Sequence, residues 1–461
     1  MSERIMRKRS SRWNLLAAVA VAWTFVWSGA DQLLSAAESA SSVPKAAQEA
    51  FDRQQYEQVL EQLAKLEKEQ GASPEVHRLK IRSFLKLSNP KDALGEYDKL
   101  ELAVKQEEVL LLREVALGFI VGLVKDMREQ MRGADYTALK EVDSDDVVPY
   151  FEDGLSDGSG PVRVLAVEGL SRSETGRKSP KLRLAIEDQA GSVKARVVKA
   201  LGRTGDPEVI PLVESATKDE LSTVRIAAYG ALIRLGKKEV WAQLQLAAES
   251  SNPEDRAEAI RAIAELKDQR GASIMMEALG YKQPSVRGAA ARGLGHLGRK
   301  EARTQIEKLL KDPVPAVRES AAGGLAELGG AESVPALTQA LSDGNFTVRA
   351  SAIAALLQLG QPYSTVAATA QSLAQQNDTA MRASVAYALG KATKANAPGA
   401  ISLLASLTAD PLPGPKIVAL RSLGHIGDRD LVPLLKESLH DTNDAVRATA
   451  AGALLHLVGL K

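Results

Sequence analysis

Residues 317–329 read VRESAAGGLAELG, and close copies of this stretch return throughout the chain. It reads VRIAAYGALIRLG from Val224, VRGAAARGLGHLG from Val286 and VRASAIAALLQLG from Val348. If the first residue is counted as position 0, ten copies begin at Val162, Val193, Val224, Asp255, Val286, Val317, Val348, Met381, Pro415 and Val446. A repeat of roughly 20–50 residues is typical of a solenoid built from stacked units.

The pattern within each copy predicts two helices. Positions 0, +4, +7, +8 and +11 form one apolar stripe at helical spacing, and a shorter apolar pattern precedes it. Five copies carry a proline at position −13, where the first turn of a helix tolerates it: Pro149, Pro180, Pro211, Pro335 and Pro433. Six copies carry a glycine that ends the second helix: Gly205, Gly236, Gly298, Gly329, Gly360 and Gly427. The predicted fold is therefore an all-α solenoid of about ten helix pairs.

Two charged positions accompany the stripe. Position −5 is an aspartate in seven copies: Asp157, Asp188, Asp219, Asp312, Asp343, Asp410 and Asp441. Position +1 is basic in all ten: Arg163, Lys194, Arg225, Arg256, Arg287, Arg318, Arg349, Arg382, Lys416 and Arg447. Such an aspartate can cap the second helix, or it can pair with the basic residue of its own or the next repeat. The other three copies carry Ser250, Tyr281 and Gln376 at position −5.

An aspartate, a valine five residues later, an adjacent arginine, and then alanine and leucine together resemble HEAT repeats. The short period is similar to the phycobilisome-lyase type, and the resemblance covers about residues 146–461. It implies that the aspartate and arginine positions form an internal, structural ladder. Some HEAT-like proteins are hydroxylases with iron on His-Glu pairs, and others are bilin lyases. This sequence has no His-Glu motif, and repeat likeness alone does not assign lyase activity.

Composition excludes several kinds of site. Cysteine is absent, so the chain has no thiolate nucleophile, disulfide or cysteine-ligated metal. The net charge of +1 gives no overall field that would attract nucleic acid. The histidines are scattered, and no recognisable metal or nucleotide motif occurs. We therefore expect no metal, no cofactor and no nucleic-acid partner.

The N-terminal residues predict export. Residues 1–30 combine a basic start with an uncharged stretch from Trp13 to Ala30. Small residues at Ser28 and Ala30 suit a signal-peptide cut before Asp31, while the length of the apolar run also allows an uncleaved membrane anchor. Either alternative places the protein in the periplasm or another extracytoplasmic space, and the remaining alternative is a cytoplasmic protein whose apolar start arose by chance. Residues 31–45 are small and polar, which indicates a flexible tether.

Residues 46–132 have a different repeat. Within the stretches that begin near Gln54 and Asn89, Val59 aligns with Ala93 and Leu66 with Leu100 at a 34-residue offset, which resembles tetratricopeptide repeats. Residues 133–146 are acidic and predict a linker, and residues 147–461 form the HEAT-like solenoid. Ten stacked pairs at ~8–10 Å spacing predict a rod or arc of about 80–100 Å.

Positions +3, +6 and +10 point away from the apolar stripe, and the HEAT resemblance puts the second helices on the concave side. The early repeats carry positive charge at these positions: Arg196, Lys199, Arg203, Arg234, Arg261 and Arg292. The predicted function is an exported, non-catalytic scaffold that binds an acidic protein or peptide there. Two alternatives remain, namely a lyase or oxidoreductase-type enzyme acting on a protein partner, and a polyanion-binding protein.

Overall fold

The computed structural model describes residues 43–459, which contain helices and turns but no β-strand. The predicted all-α solenoid is confirmed. The chain divides into two compact units between Gly118 and Phe119. Within residues 43–459, no helix combines the length and apolar character of a membrane span. The predicted signal segment, residues 1–30, lies outside the described residues.

The first unit stacks consecutive helices. They are α1 (Lys45–Asp52), α2 (Tyr56–Gln70), α3 (Pro74–Lys86), α4 (Pro90–Val104) and α5 (Val109–Val121), the last of which crosses the unit boundary. The side chains of Ser73 and Asn89 cap α3 and α4, and a proline follows each cap. Val59 and Leu63 lie in the core between these helices. The tetratricopeptide-like interpretation of residues 46–132 stays a prediction.

The second unit is built from helix pairs. The first helices are α7 (Val148–Gly154), α10 (Pro180–Leu184), α12 (Ile210–Ala216), α14 (Trp241–Ala248), α16 (Ala272–Ala278), α18 (Arg303–Leu309), α20 (Val334–Ala340), α22 (Ala367–Ala374), α24 (Ala397–Leu407) and α26 (Val432–Glu437), with a single extra turn, α9 (Glu174–Arg177). The second helices are α6 (Glu129–Leu139), α8 (Gly160–Leu170), α11 (Gly191–Leu201), α13 (Ser222–Arg234), α15 (Pro253–Glu265), α17 (Pro284–His296), α19 (Pro315–Leu328), α21 (Phe346–Gln358), α23 (Thr379–Leu389), α25 (Pro413–Ile426) and α27 (Asp444–Gly459).

Backbone conformation explains where many second helices end. The six glycines predicted to end these helices all have positive φ angles, between 67° and 97°. Glycine adopts this left-handed region without the steric cost that a Cβ atom brings. After α15, Lys267 takes the same position with φ of 53°. The repeat geometry therefore holds even where the favoured residue is missing.

The second helices close into a ring. Each packs against the second helices before and after it, and the last, α27, packs against α6. Gly452 of α27 makes this approach possible, because a Cβ atom there would lie only 3.0 Å from the carbonyl oxygen of Ala138. An ion-pair chain also crosses this seam: Arg447 pairs with Asp444, and Arg128 lies 3.3 Å from Asp444 and 2.8 Å from Asp126. We call the contact between α27 and α6 the seam.

Ring closure corrects two sequence predictions. The open rod or arc is wrong, since the two ends of the second unit meet. Residues 133–146 are not simply a linker, because they contain the second half of α6, and the second unit begins at Phe119 rather than at residue 147. Helix α6 is an eleventh second helix among the described residues, with Asp126, Arg132 and Leu139 at positions −5, +1 and +8. We missed it because Asp135 occupies position +4, where the other copies have alanine or valine.

The charged ladder joins each repeat to the next. Arg163 donates from Nε and Nη2 to the carboxylate of Asp188 at 2.7 and 2.9 Å, and from Nη1 to the carbonyl oxygen of Asp157 at 2.8 Å. Burial opposes ionisation of Asp188, but hydrogen bonds from Arg163 and the Ala190 amide outweigh it and lower its pKa. The same pairing recurs as Arg132–Asp157, Lys194–Asp219, Arg287–Asp312, Arg318–Asp343, Arg382–Asp410 and Lys416–Asp441.

Four basic ladder residues lack a carboxylate from the next repeat: Arg225, Arg256, Arg349 and Arg447. For the first three the reason is the residue opposite, which is Ser250, Tyr281 or Gln376 instead of aspartate. Arg256 instead lies over the ring of Tyr281, 4.3 Å from its centroid. Among the described residues, the nine arginines of the ladder therefore all donate to a backbone carbonyl, whereas Lys194 and Lys416 bind only their aspartates and the ion pairs between repeats are interrupted at four positions.

Candidate functional site

The second helices line the inner face of the ring. They contact each other directly, whereas the first helices of neighbouring pairs lie further apart, so the stack curves toward the second helices. Lys199 of α11 reaches past α13 to Glu258 of α15, with 3.0 Å between Nζ and Oε1. Gly230 occupies position +6 of the intervening helix and leaves room for this bridge. A side chain can span two repeats in this way only on the concave side.

The structure puts the six predicted binding residues on this face, but glutamates neutralise most of them. Lys199 pairs with Glu258 and Glu265, the latter at 3.3 Å. Three arginines pair with inner-face glutamates: Arg196 with Glu168 at 3.2 Å, Arg261 with Glu258 at 2.9 Å, and Arg292 with Glu327 at 3.2 Å. The predicted strongly positive groove is therefore weaker than the sequence pattern indicated.

Two of the six predicted binding residues, Arg203 and Arg234, form no ion pair with a described glutamate. Arg234 donates to the carbonyl oxygen of Glu265 at 3.0 Å. Burial and the nearby charge of Arg203 lower its pKa. Arg203 is exposed and has no carboxylate at ion-pair distance in the described part of the chain. These two neighbouring guanidinium groups are the part of the predicted set that is most available to an acidic ligand.

Three further cations on this face were not among the predicted binding residues: Arg172, Lys391 and Arg421. Across positions +3, +6 and +10 of the eleven described second helices, nine side chains are arginine or lysine and five are glutamate. The cations are Arg172, Arg196, Lys199, Arg203, Arg234, Arg261, Arg292, Lys391 and Arg421, and the glutamates are Glu141, Glu168, Glu258, Glu265 and Glu327. The inner face thus keeps a net positive charge.

A cavity of about 590 Å³ opens on the inner face between α15, α17 and α19. Small residues such as Ala264, Gly288 and Ala289 form part of its lining. Arg261 and Arg292 also line it, together with Glu265 and Glu327. A cavity of this size, with small apolar groups and a few charged side chains, can accept an apolar side chain flanked by acidic groups.

Histidines on this face pair with glutamates that are distant in sequence. His296 lies 3.1 Å from Glu327, and His425 lies 3.1 Å from Glu141. In the first unit His77 lies 2.7 Å from Glu96. The sequence has no His-Glu motif, and these pairs form only in the folded chain, between residues that are 19 or more positions apart. Within residues 43–459, no group of three or more histidine, aspartate or glutamate side chains is arranged to hold a metal ion.

The sequence profile of HEAT repeats matches residues 179–245, 242–322, 282–357, 304–390, 334–415 and 401–457. These matches together cover more than half of the chain. A search of curated protein sequences gives no significant match.

Several solved structures are similar in part. Human deoxyhypusine hydroxylase shares 20% identity over 54% of this chain and 98% of its own, with a TM-score of 0.31. The CpcE–CpcF complex of phycocyanin lyase from Nostoc shares 21% identity over 54% of this chain and 94% of that chain, with a TM-score of 0.37. Kap121p shares 15% identity over 91% of this chain and 56% of its own, with a TM-score of 0.38. These likenesses assign no activity.

Proposed function

The chain belongs to the HEAT-repeat family, and we propose that it is a non-catalytic scaffold that binds an acidic protein surface or peptide through the inner face of its ring. The observation that carries this proposal is the surplus of cations over glutamates at positions +3, +6 and +10. Complementary charge increases the rate of association and contributes to specificity.

The cavity between α15, α17 and α19 supports the same proposal. Arg261 and Arg292 at its edge are each about half exposed, so an acidic group can reach both. Their pairing with Glu258 and Glu327 positions the guanidinium groups before a ligand arrives. An apolar anchor in the cavity, with acidic residues on either side, is the partner chemistry that this geometry favours.

The experiment that tests the proposal uses the natural partner. The partner is captured on the wild-type protein, identified by mass spectrometry, and its affinity is measured for the variant Arg203→Glu/Arg234→Glu/Arg292→Glu. We expect affinity to fall by about tenfold or more, and wild-type affinity to fall with added salt. The matched control is Lys282→Glu/Lys308→Glu/Lys311→Glu, which reverses three exposed charges outside the inner face. Equal binding by both variants and the wild type would contradict the proposal.

We further propose that the scaffold is exported and acts in the periplasm or another extracytoplasmic space, either released or anchored through residues 13–30. The basic start and the uncharged run that follows support this location. N-terminal sequencing of the mature protein should find Asp31 first, or fractionation should find the intact chain in the membrane with its repeats outside. Recovery of soluble cytoplasmic protein that retains residues 1–30 would contradict both versions.

A further inference from the structure

The seam brings together charged groups from opposite ends of the second unit. Glu141 follows α6, whereas Arg421 and His425 belong to α25 and His456 to α27. The Nε2 atom of His425 lies 3.1 Å from the Glu141 carboxylate, and the rings of His425 and His456 meet edge to face at 6.1 Å between centroids. Arg421 lines the same small cleft.

Two arginines, Arg421 and Arg172, interact with the single carboxylate of this cluster, Glu141. Burial opposes ionisation of Glu141, but its hydrogen bond with His425, together with the charge of Arg172, lowers its pKa. Arg421 is partly buried and has neither a hydrogen bond nor an ion pair with any described residue. Burial lowers its pKa, and the charge of Glu141 offsets this only in part. Arg421 can therefore bind a negatively charged group of a ligand in addition to interacting with Glu141.

The seam cluster continues into a row of arginines along position +10. Arg172 follows α8, Arg203 follows α11, and Arg234 ends α13. In the described part of the chain, neither Arg172 nor Arg203 has a carboxylate at ion-pair distance. Neighbouring helices lie about 8–10 Å apart, and an extended peptide advances about 3.3 Å per residue. An acidic residue at every third position would therefore meet Arg172, Arg203 and Arg234 in turn, and Arg421 is reached by acidic residues further along the segment, because α27 and α6 lie between α25 and α8.

Resting on the proposed function, we infer that the carboxylates of an extended acidic segment of the partner bind along Arg421, Arg172, Arg203 and Arg234, across the seam of the ring. Arg421 belongs to the end of the repeat array and the others to its beginning. The site is complete only while the ring is closed. A bound acidic segment would in turn hold the seam together, because it contacts both sides.

The row favours an acidic peptide over a free phosphate ion. A single ion satisfies one or two guanidinium groups, whereas the spacing of the row requires charges repeated about every 10 Å. Bidentate contacts between guanidinium and carboxylate give each position a defined geometry. The inferred ligand is therefore a protein segment rather than an inorganic anion.

The test uses the full chain and a fluorescent eighteen-residue peptide with glutamate at every third position, separated by alanine and serine, because the five helix steps from Arg421 to Arg234 span about 40–50 Å. Anisotropy titrations should show binding that is lost when glutamine replaces the glutamates. Arg421→Gln should weaken binding by about tenfold, the effect of losing one charge-assisted hydrogen bond. Arg421→Lys should retain most of the affinity. Arg429→Gln, a matched change of an exposed arginine in the turn before α26 and outside the inner face, should alter it by less than about twofold.

A second variant tests the dependence on ring closure. In Gly452→Leu, the new side chain would collide with Ala138 and separate α27 from α6. With helix content unchanged, this variant should lose peptide affinity to the same degree as Arg421→Gln. Full affinity in either variant would overturn the inference.

Two outcomes separate the inference from the proposed function. If the natural partner fails to bind the Arg203→Glu/Arg234→Glu/Arg292→Glu variant but binds Arg421→Gln normally, the inner-face scaffold stands and the seam site is wrong. If inorganic phosphate blocks the peptide completely and replacing the outer glutamates costs no affinity, the site takes a single ion and the inference is also overturned.

Discussion

Asp135 differs from the repeat at a buried position that holds only alanine or valine in the other second helices. It lies at position +4 of α6, is fully buried, and neither carboxylate oxygen has a hydrogen-bond partner. Burial, with a smaller contribution from the charge of Asp126, raises its pKa to about 9. The folded protein therefore holds a proton that the unfolded chain releases above about pH 4. The contribution of Asp135 to the free energy of unfolding is therefore most favourable at low pH and becomes less favourable as the pH rises toward 9.

Asp135→Ala should stabilise the protein, because alanine or valine fills position +4 of the other second helices. We expect the free energy of unfolding to rise by several kcal/mol at pH 8 and by less at pH 5, because holding this proton costs about 1.4 kcal/mol for each pH unit above about 4. Urea unfolding at both pH values measures the change. Asp135→Asn is the control: it removes the pH dependence but keeps the unsatisfied polar group. A less stable Asp135→Ala protein would show that the carboxyl group has a partner.

The ladder predicts that two arginines at equivalent positions contribute differently to the free energy of unfolding. Arg318 binds the Asp343 carboxylate at 2.7 and 2.9 Å, whereas Arg349 donates only to backbone carbonyls. Arg318→Ala should lower the free energy of unfolding by about 2 kcal/mol, because it leaves Asp343 without its charged partner. Arg349→Ala should cost about half as much. Chemical denaturation of both variants checks this, and equal losses would mean that the ion pair adds nothing to the carbonyl contacts.

At the scale of one element, we expect opposite changes in stability from substitutions at two equivalent residues that end second helices. Lys267 has φ of 53°, and Gly298 has φ of 67° at the same position of the next repeat. No atom lies within 4 Å of a Cβ built on Gly298, so only backbone strain opposes a side chain there. Lys267→Gly should raise the free energy of unfolding by about 1 kcal/mol, and Gly298→Ala should lower it by about the same amount. Urea midpoints of the two variants should move in opposite directions.

Elements that repeat could be predicted from the sequence, and elements that depart from the repeat could not. The stripe that begins at Val317 predicted α19, and Gly329 predicted its end, because helical periodicity and left-handed backbone are local properties. Helix α6 was missed because Met131 and Asp135 replace the usual valine and alanine. Reading Asp126, Arg132 and Leu139 against positions −5, +1 and +8 would have found it.

At the scale of the whole molecule, the candidate site depends on contacts that no local pattern contains. Glu141 and His425 are 284 residues apart and meet only because α27 packs on α6. Closure results from small changes in angle between neighbouring repeats, summed around the ring, and a repeat sequence does not reveal that sum. The partners of Arg196 and Arg261, in contrast, could be predicted from the sequence, since Glu168 and Glu258 lie at positions +6 and +3 of the same repeat pattern.

Ring closure is the central claim, and cross-linking across the seam tests it most directly. The chain has no cysteine, so Ala138→Cys/Gly452→Cys introduces a single pair whose Cβ atoms would lie 3.1 Å apart, and a small shift of α27 from α6 both relieves the contact at position 452 and brings the pair to the distance of about 3.8 Å that a disulfide needs. Ala138→Cys/Gly323→Cys, on inner helices far apart around the ring, is the control. At low protein concentration under mild oxidation, the first variant should form an intramolecular disulfide nearly completely, and the control should form none. If Ala138→Cys/Gly452→Cys stays reduced, or links only between molecules as concentration rises, the solenoid is open and the seam does not exist.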